Sequence, residues 1–253
     1  MHHDSAAMTT TTASQILTAA VTRTTTPAAA ASSLAAPATA VLSDPQALED
    51  ALWDIWNAVL GTATQTAPER QGPLVDVLDA VKSLPSGDGF EFWGERTTWK
   101  ELPSLGMVVR EVYGLEADNA GSGFVNLNAF AARLTAAGVC DLSLYGIWTL
   151  RSVLEDREPG EAAAEEDSRG LVSAAAWFAY AGKRMWEFSA QEKAFDGAVA
   201  IPGKSVAGKN WKGYSKARWE LWVERFKKAQ ALAVAGDEKA LVEKAIAEID
   251  TIA

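Results

Sequence analysis

Histidine is nearly missing from this 253-residue chain: His2 and His3 are the two present, and none follows them. That removes Ser-His-Asp and Cys-His nucleophilic systems, imidazole acid–base catalysis and histidine-rich metal sites from the body of the protein. The His-His-Asp start itself reads as tail sequence rather than as a chelate. Cysteine is as scarce. Cys140 stands alone, so neither an internal disulfide nor a multi-thiolate zinc site can form. A lone thiol fits a reducing compartment, and the expectation is a cytoplasmic or nuclear protein. No run is apolar over the ~18 residues that a membrane span requires. Period-two alternation long enough for a sheet is also lacking. Excess positive charge is absent too. A net charge of -10 argues against general nucleic-acid binding, because phosphates repel an acidic surface.

What remains is apolar residues at helical spacing, and many of them are aromatic. The apolar content of 48% suffices for a core. Residues 1–43 are nearly all Ala, Thr, Ser and Pro without a sustained apolar face, and are expected to be a disordered tail. Arg23 is its one Arg or Lys, which suits neither a secretory signal nor a transit peptide. Order is expected from "SDPQALEDALWDIWNAVLG", where Ser43 or Asp44 caps, Pro45 fits the first turn, and Leu48, Leu52, Ile55, Trp56 and Val59 share a face up to Gly61. Further helices are expected at Pro73–Pro85, "TTWKELPSLGMVVREVYG", "VNLNAFAARLTAAG", "DLSLYGIWTLRSVLED", the Ala-rich "GLVSAAAWFAYAGKRMWEF", "YSKARWELWVERFKKAQALAVAG" and "DEKALVEKAIAEIDTIA". "EPGEAAAEEDSRG" reads as an acidic linker, and the longest irregular stretch runs from Ser189 to Gly213. The expected fold is all-α: a single domain of about eight helices over residues 44–253.

Charge is uneven along the chain. Between Glu155 and Asp167 there are seven carboxylates against Arg157, whereas Lys204–Lys228 holds eight Lys or Arg against Glu220 and Glu224. At ~100° per residue, Trp219, Trp222, Val223 and Phe226 fall in one sector, and Lys216, Glu220, Glu224 and Lys228 form a ladder on another side. The first face is expected to be core and the second solvated. Leu221 and Leu232 lie off the tryptophan sector and suit a neighbouring helix or a small docking patch. In the loop before this helix, cations interleave with rings. Lys209, Trp211, Lys212, Tyr214 and, on the helix, Arg218 are the candidate partner-binding residues, since cations meet carboxylates or phosphates and rings stack. The same loop holds a near match to a phosphate cradle, Gly203 to Lys209. Asn210 stands where a magnesium-ligating hydroxyl belongs, and no α/β sheet is expected around it. Asp76 with Asp79, and Glu155 with Glu158, are paired carboxylates that read as solvated helix faces. Cys140 reads as an inert small residue and Lys183 with Arg184 as surface cations.

Several of these stretches, "LWDIWNAVLGTA", "TTWKELPSLGMVVREVY", "FVNLNAFAARLTAAGVCDLSLYGIWTLRSVLE", "WFAYAGKRMWEFS" and "WKGYSKARWELWVERF", together resemble a fungal, all-helical family of unknown function. Oxopyrrolidine biosynthesis cluster protein G is a named relative in that family. The resemblance covers Leu48 to about Glu248 and implies an intracellular helical protein with an accessory role near secondary metabolism. It carries no catalytic residues. The expected function is therefore a non-enzymatic interaction or accessory protein that needs no cofactor and whose partner is a protein or a small metabolite. The alternative is a small-molecule binder or histidine-independent enzyme with an interhelical pocket. Nucleic-acid contact through the basic-aromatic loop ranks third.

Overall fold

Alanine builds the first two helices. In the computed structural model, which describes residues 3–119, 121–156, 164–230 and 237–252, α1 spans His3–Val21 and α2 spans Pro27–Thr39. The stretch expected to be a disordered tail is thus helical. Its buried stripe is mostly alanine with one leucine on each helix: Ala30, Ala31, Leu34, Ala35 and Ala38 on α2, and Ala13, Leu17 and Ala20 on α1. Alanine has the strongest helix propensity and lets backbones approach closely, so a face with a single bulky side chain per helix still buries. Thr26 caps α2 by accepting from the Ala29 amide at 3.2 Å, with Pro27 in the first turn.

Among the described residues there are ten α-helices rather than about eight, with one small hairpin. They divide into two compact units, Met1–Asn119 and Ala120–Ala253, where one domain was expected. The boundary falls in "DNAGSG", a run of small and polar residues. The units differ in charge. The first holds 15 carboxylates against six Lys and Arg, the second 18 against 17, so the acidity of the chain belongs almost wholly to the first.

In the first unit, α3 (Pro45–Gln65) receives α1, α2 and α5 (Leu105–Asn119), and α4 (Gly72–Lys82) packs against α1 and α2. Leu48, Leu52, Ile55, Trp56 and Val59 are all buried, as their spacing predicts. Gly61 does not end α3. The helix runs through it to Gln65, with the hydroxyls of Thr62, Thr64 and Thr66 bonded back to its carbonyls. The indole of Trp56 donates to the Pro103 carbonyl at 2.7 Å and so ties α3 to the turn that starts α5. Strands β1 (Phe90–Phe92) and β2 (Glu95–Thr97) pair antiparallel, with Phe90 and Phe92 facing inward.

The second unit is arranged on α8 (Ala164–Ala190), against which α6 (Ser122–Ala136), α7 (Ser143–Leu154), α9 (Lys216–Ala229) and α10 (Asp237–Ile252) all pack. Its buried Ala174, Ala175, Ala176, Ala179 and Ala181 make that many-sided packing feasible. At its centre the Asn128 side-chain oxygen accepts from Thr149 at 2.6 Å and from the Trp177 indole at 2.7 Å, while its amide donates to the Phe124 carbonyl at 2.9 Å. Each polar group in this apolar interior is thereby bonded. Trp219, Trp222 and Phe226 of α9 are buried, and Glu224 and Lys228 of the charge ladder meet at 2.5 Å in solvent. Leu232 and the centre of the acidic linker lie outside the described residues. No helix among the described residues is long and apolar enough to cross a membrane.

Candidate functional site

The irregular stretch between α8 and α9 is pinned to the end of α7 by one carboxylate. Glu155 follows the last residue of α7 and is fully buried, although its sequence context reads as a solvated face. Its Oε1 accepts from Arg218 Nε at 2.7 Å and Trp222 Nε1 at 2.5 Å. Its Oε2 accepts from Arg218 Nη2 at 3.0 Å and the Gly203 amide at 2.8 Å. Four donors therefore saturate the charge, which is the condition under which a buried ion pair is tolerated. Glu158, the suggested partner of Glu155, lies outside the described residues.

Arg218 spends its remaining hydrogens on the loop. Nη1 donates to the carbonyls of Ala200 at 2.7 Å and Gly213 at 2.9 Å, and Nη2 reaches Ile201 at 3.3 Å. One guanidinium thus draws both limbs of the loop together. Arg225, two turns further along α9, donates to the Leu154 carbonyl at 2.8 Å and to Ser205 Oγ at 2.6 Å. The sequence did carry a signal for this. At ~100° per residue, Arg218 and Arg225 fall within about 60° of the buried Trp222, so they belong to the inward sector.

The phosphate-loop echo is filled by the protein itself. The Gly203 amide goes to Glu155, the Lys204 amide to Asp156 Oδ1 at 3.0 Å, and the Ser205 amide to the Glu155 carbonyl at 2.9 Å. Amides that would cradle an anion are already on carboxylate and carbonyl oxygens. A side chain at Gly203 would put its Cβ 2.5 Å from Glu155 Cβ, so glycine here permits close approach rather than nucleotide entry.

A second anchor fixes the ends of the loop. Lys193 bonds to Asp141 and, at 2.8 Å, to Ser143 Oγ, and its ammonium lies 4.0 Å from the Phe188 ring centroid. Tyr214 donates its hydroxyl to the Ser143 carbonyl at 2.8 Å. Burial, with Asp141 nearby, pushes the Tyr214 phenol far above its usual range, against the pull of Arg218. For Asp141, burial raises the carboxyl, but hydrogen bonds from Lys193 and Ser143 outweigh it and hold the group below its ordinary value. A carboxyl depressed in the folded state stabilises fully above its unfolded pKa of about 3.9 and loses that contribution as pH falls through the folded value. The stability gap between the wild-type chain and Asp141→Asn, measured by urea melts, should therefore be constant at neutral pH and shrink below about pH 4.

The five sequence candidates separate into two groups. Lys209 and Lys212 are exposed and Trp211 is half-buried, with the Arg218 guanidinium 5.6 Å from its ring centroid. Tyr214 and Arg218 are buried and bonded inward, to the Ser143 carbonyl and to Glu155. Sequence reasoning missed two other residues: Val199 and Ile201 are 42% and 46% exposed, large apolar side chains held outward while their carbonyls bond inward to Trp148 and Arg218. Asp76, Asp79 and Lys183 are exposed, Arg184 pairs with Glu187 at 2.8 Å, and Cys140 is half-buried.

A family model described as Protein of unknown function (DUF3632) matches residues 56–226, a span that takes in the whole pinned loop. No curated protein and no solved structure matches the chain.

Proposed function

For this chain, which belongs to the DUF3632 family, we propose a non-enzymatic role as a protein-interaction module whose contact surface is the pinned loop of the second unit. The observation that carries the reading is the loop itself. A long segment whose regular structure is one short 3-10 turn and one bridge is held by a buried ion pair and three inward carbonyl contacts, and what it presents is Val199 and Ile201 with Lys204, Lys209 and Lys212. Long irregular loops on rigid supports are where binding residues concentrate. The apolar pair supplies buried area on contact, and the lysines favour a partner segment that carries carboxylates. The buried charges at Glu155 and Arg218 are saturated, which fits a structural task for them rather than proton transfer. The resemblance to the family of a biosynthesis cluster protein supports an accessory place beside fungal secondary-metabolite enzymes in the cell interior.

The test pairs Ile201→Asp with Lys212→Glu. Tagged wild-type and double-variant chains are cross-linked in their native cells, purified and compared. A protein captured by the wild type should be lost from the variant at an unchanged thermal melt. Retention of the same protein on the variant places the contact elsewhere.

A further inference from the structure

Turn chemistry and sequence disagree at the tip of the β-hairpin in the first unit. The two residues joining β1 to β2 are Trp93 and Gly94, with φ of 51° and 78°. Both dihedrals are positive, as in the tight hairpin turn that favours Asn-Gly or Asp-Gly. A bulky side chain at the first of these positions is a backbone outlier. Local rules broken in this way tend to mark function.

The ring placed there is held rather than loose. Trp93 is 52% exposed, yet it stacks on buried Phe92 at 4.5 Å and 25°, and its indole nitrogen donates to Glu49 Oε2 on α3 at 3.0 Å. One ring face is covered and the N–H is satisfied, so the orientation is set before any ligand arrives. The surroundings are acidic. Glu49 adjoins the indole, and Glu91 and Glu95 of the hairpin are exposed. Of the nearby cations, Arg96 sits opposite Glu91 and donates to the Asp88 carbonyl at 2.5 Å, and Lys100 is exposed beyond the hairpin. The unit as a whole has more than twice as many carboxylates as cations.

A preset indole face beside carboxylates is a receptor for positive charge, because the ring quadrupole and the carboxylates attract the same ligand. We propose that the hairpin tip, Trp93 with Glu49, is a second docking surface that takes an arginine-bearing segment of a protein partner. This surface is independent of the lysine-rich loop and selects the opposite charge. Arginine is preferred to lysine because its flat guanidinium stacks on the indole while still donating to a carboxylate.

The experiment is a fluorescence-anisotropy titration of a labelled Gly-Ser peptide bearing spaced arginines, at about 0.15 M salt to suppress non-specific attraction. Trp93→Asn is the main variant, because asparagine suits the turn and should leave hairpin and melting temperature intact or improved. Binding to it should weaken about fivefold, the size expected of an exposed cation–π contact. Trp93→Phe should fall in between, and so should Glu49→Gln, which keeps an acceptor for the indole but removes the charge. Equal binding by wild type and Trp93→Asn overturns the proposal. So does sedimentation showing that Trp93 mediates self-association which the arginine peptide does not compete, since the occupant is then a second copy of this chain.

Discussion

Glu155→Gln is expected to destabilise the second unit by about 3–5 kcal/mol, although the two side chains have nearly the same shape. The carboxylate faces four donors and no acceptor: Nε and Nη2 of Arg218, the Trp222 indole and the Gly203 amide. An amide replaces one oxygen by an NH2 group. Whichever way it turns, that group opposes either Arg218 Nε with Trp222 or Arg218 Nη2 with Gly203. Arg218 is then a fully buried cation without its counter-charge. The consequence should be local before it is global. Hydrogen exchange at Gly203, whose amide bonds to this carboxylate, should accelerate more than exchange in α6 or α8. A denaturant midpoint within error of wild type would show that the pair contributes little. Arg218→Lys keeps the charge but loses the fork to Glu155, Ala200 and Gly213, and should be destabilising as well.

This dependence on one carboxylate explains which parts of the molecule could be read from sequence. Helices built on large apolar residues were legible because period 3.6 leaves a pattern: α3 through Leu48, Leu52, Ile55 and Trp56, and α9 through Trp219, Trp222 and Phe226. The first two helices were not, because Ala30, Ala31, Ala35 and Ala38 supply burial through closeness rather than bulk, and composition alone looks like a tail. Gly61 failed as a stop for the opposite reason. A glycine inside a helix costs about 1 kcal/mol, and packing of the flanking residues outweighs it. At the loop, Lys209 and Lys212 were legible as exposed cations, whereas the burial of Arg218 was not, because a charged side chain ordinarily signals solvent. Its counter-charge is 63 residues earlier in the chain, and a pairing at that separation has no local signature. Val199 and Ile201 are outward for the same long-range reason. Their carbonyls are pulled inward by Trp148 and Arg218, which turns the side chains to solvent.

Gly213→Ala should be nearly as damaging as the loss of Glu155, by a purely steric route. A Cβ at Gly213 would collide with the carbonyl oxygen of Lys193 and lie 2.8 Å from Ala194 Cα and 3.0 Å from the Lys193 carbonyl carbon. Every one of those atoms is backbone, so no rotamer change relieves the overlap. The two ends of the loop must instead separate. That breaks the bridge between Ala194 and Gly213, with its bonds from the Tyr214 amide to Lys193 at 2.8 Å and from the Phe195 amide to Lys212 at 2.9 Å. It also pulls the Gly213 carbonyl from Arg218. Overpacking against fixed atoms costs about 3 kcal/mol at the upper end of the usual range, and the coupled hydrogen bonds act in the same direction. Gly208→Ala in the same loop is the matched control. Nothing lies within 4 Å of its added methyl, so it should be neutral or mildly stabilising by about 0.5 kcal/mol through the unfolded chain. Urea melts of the two variants should thus diverge in sign. Since Gly213 lies between Lys212 and the anchor Tyr214, its alanine variant should also lose partner capture at temperatures where circular dichroism still shows native helix content. That separates presentation of the loop from folding of the helices beneath it.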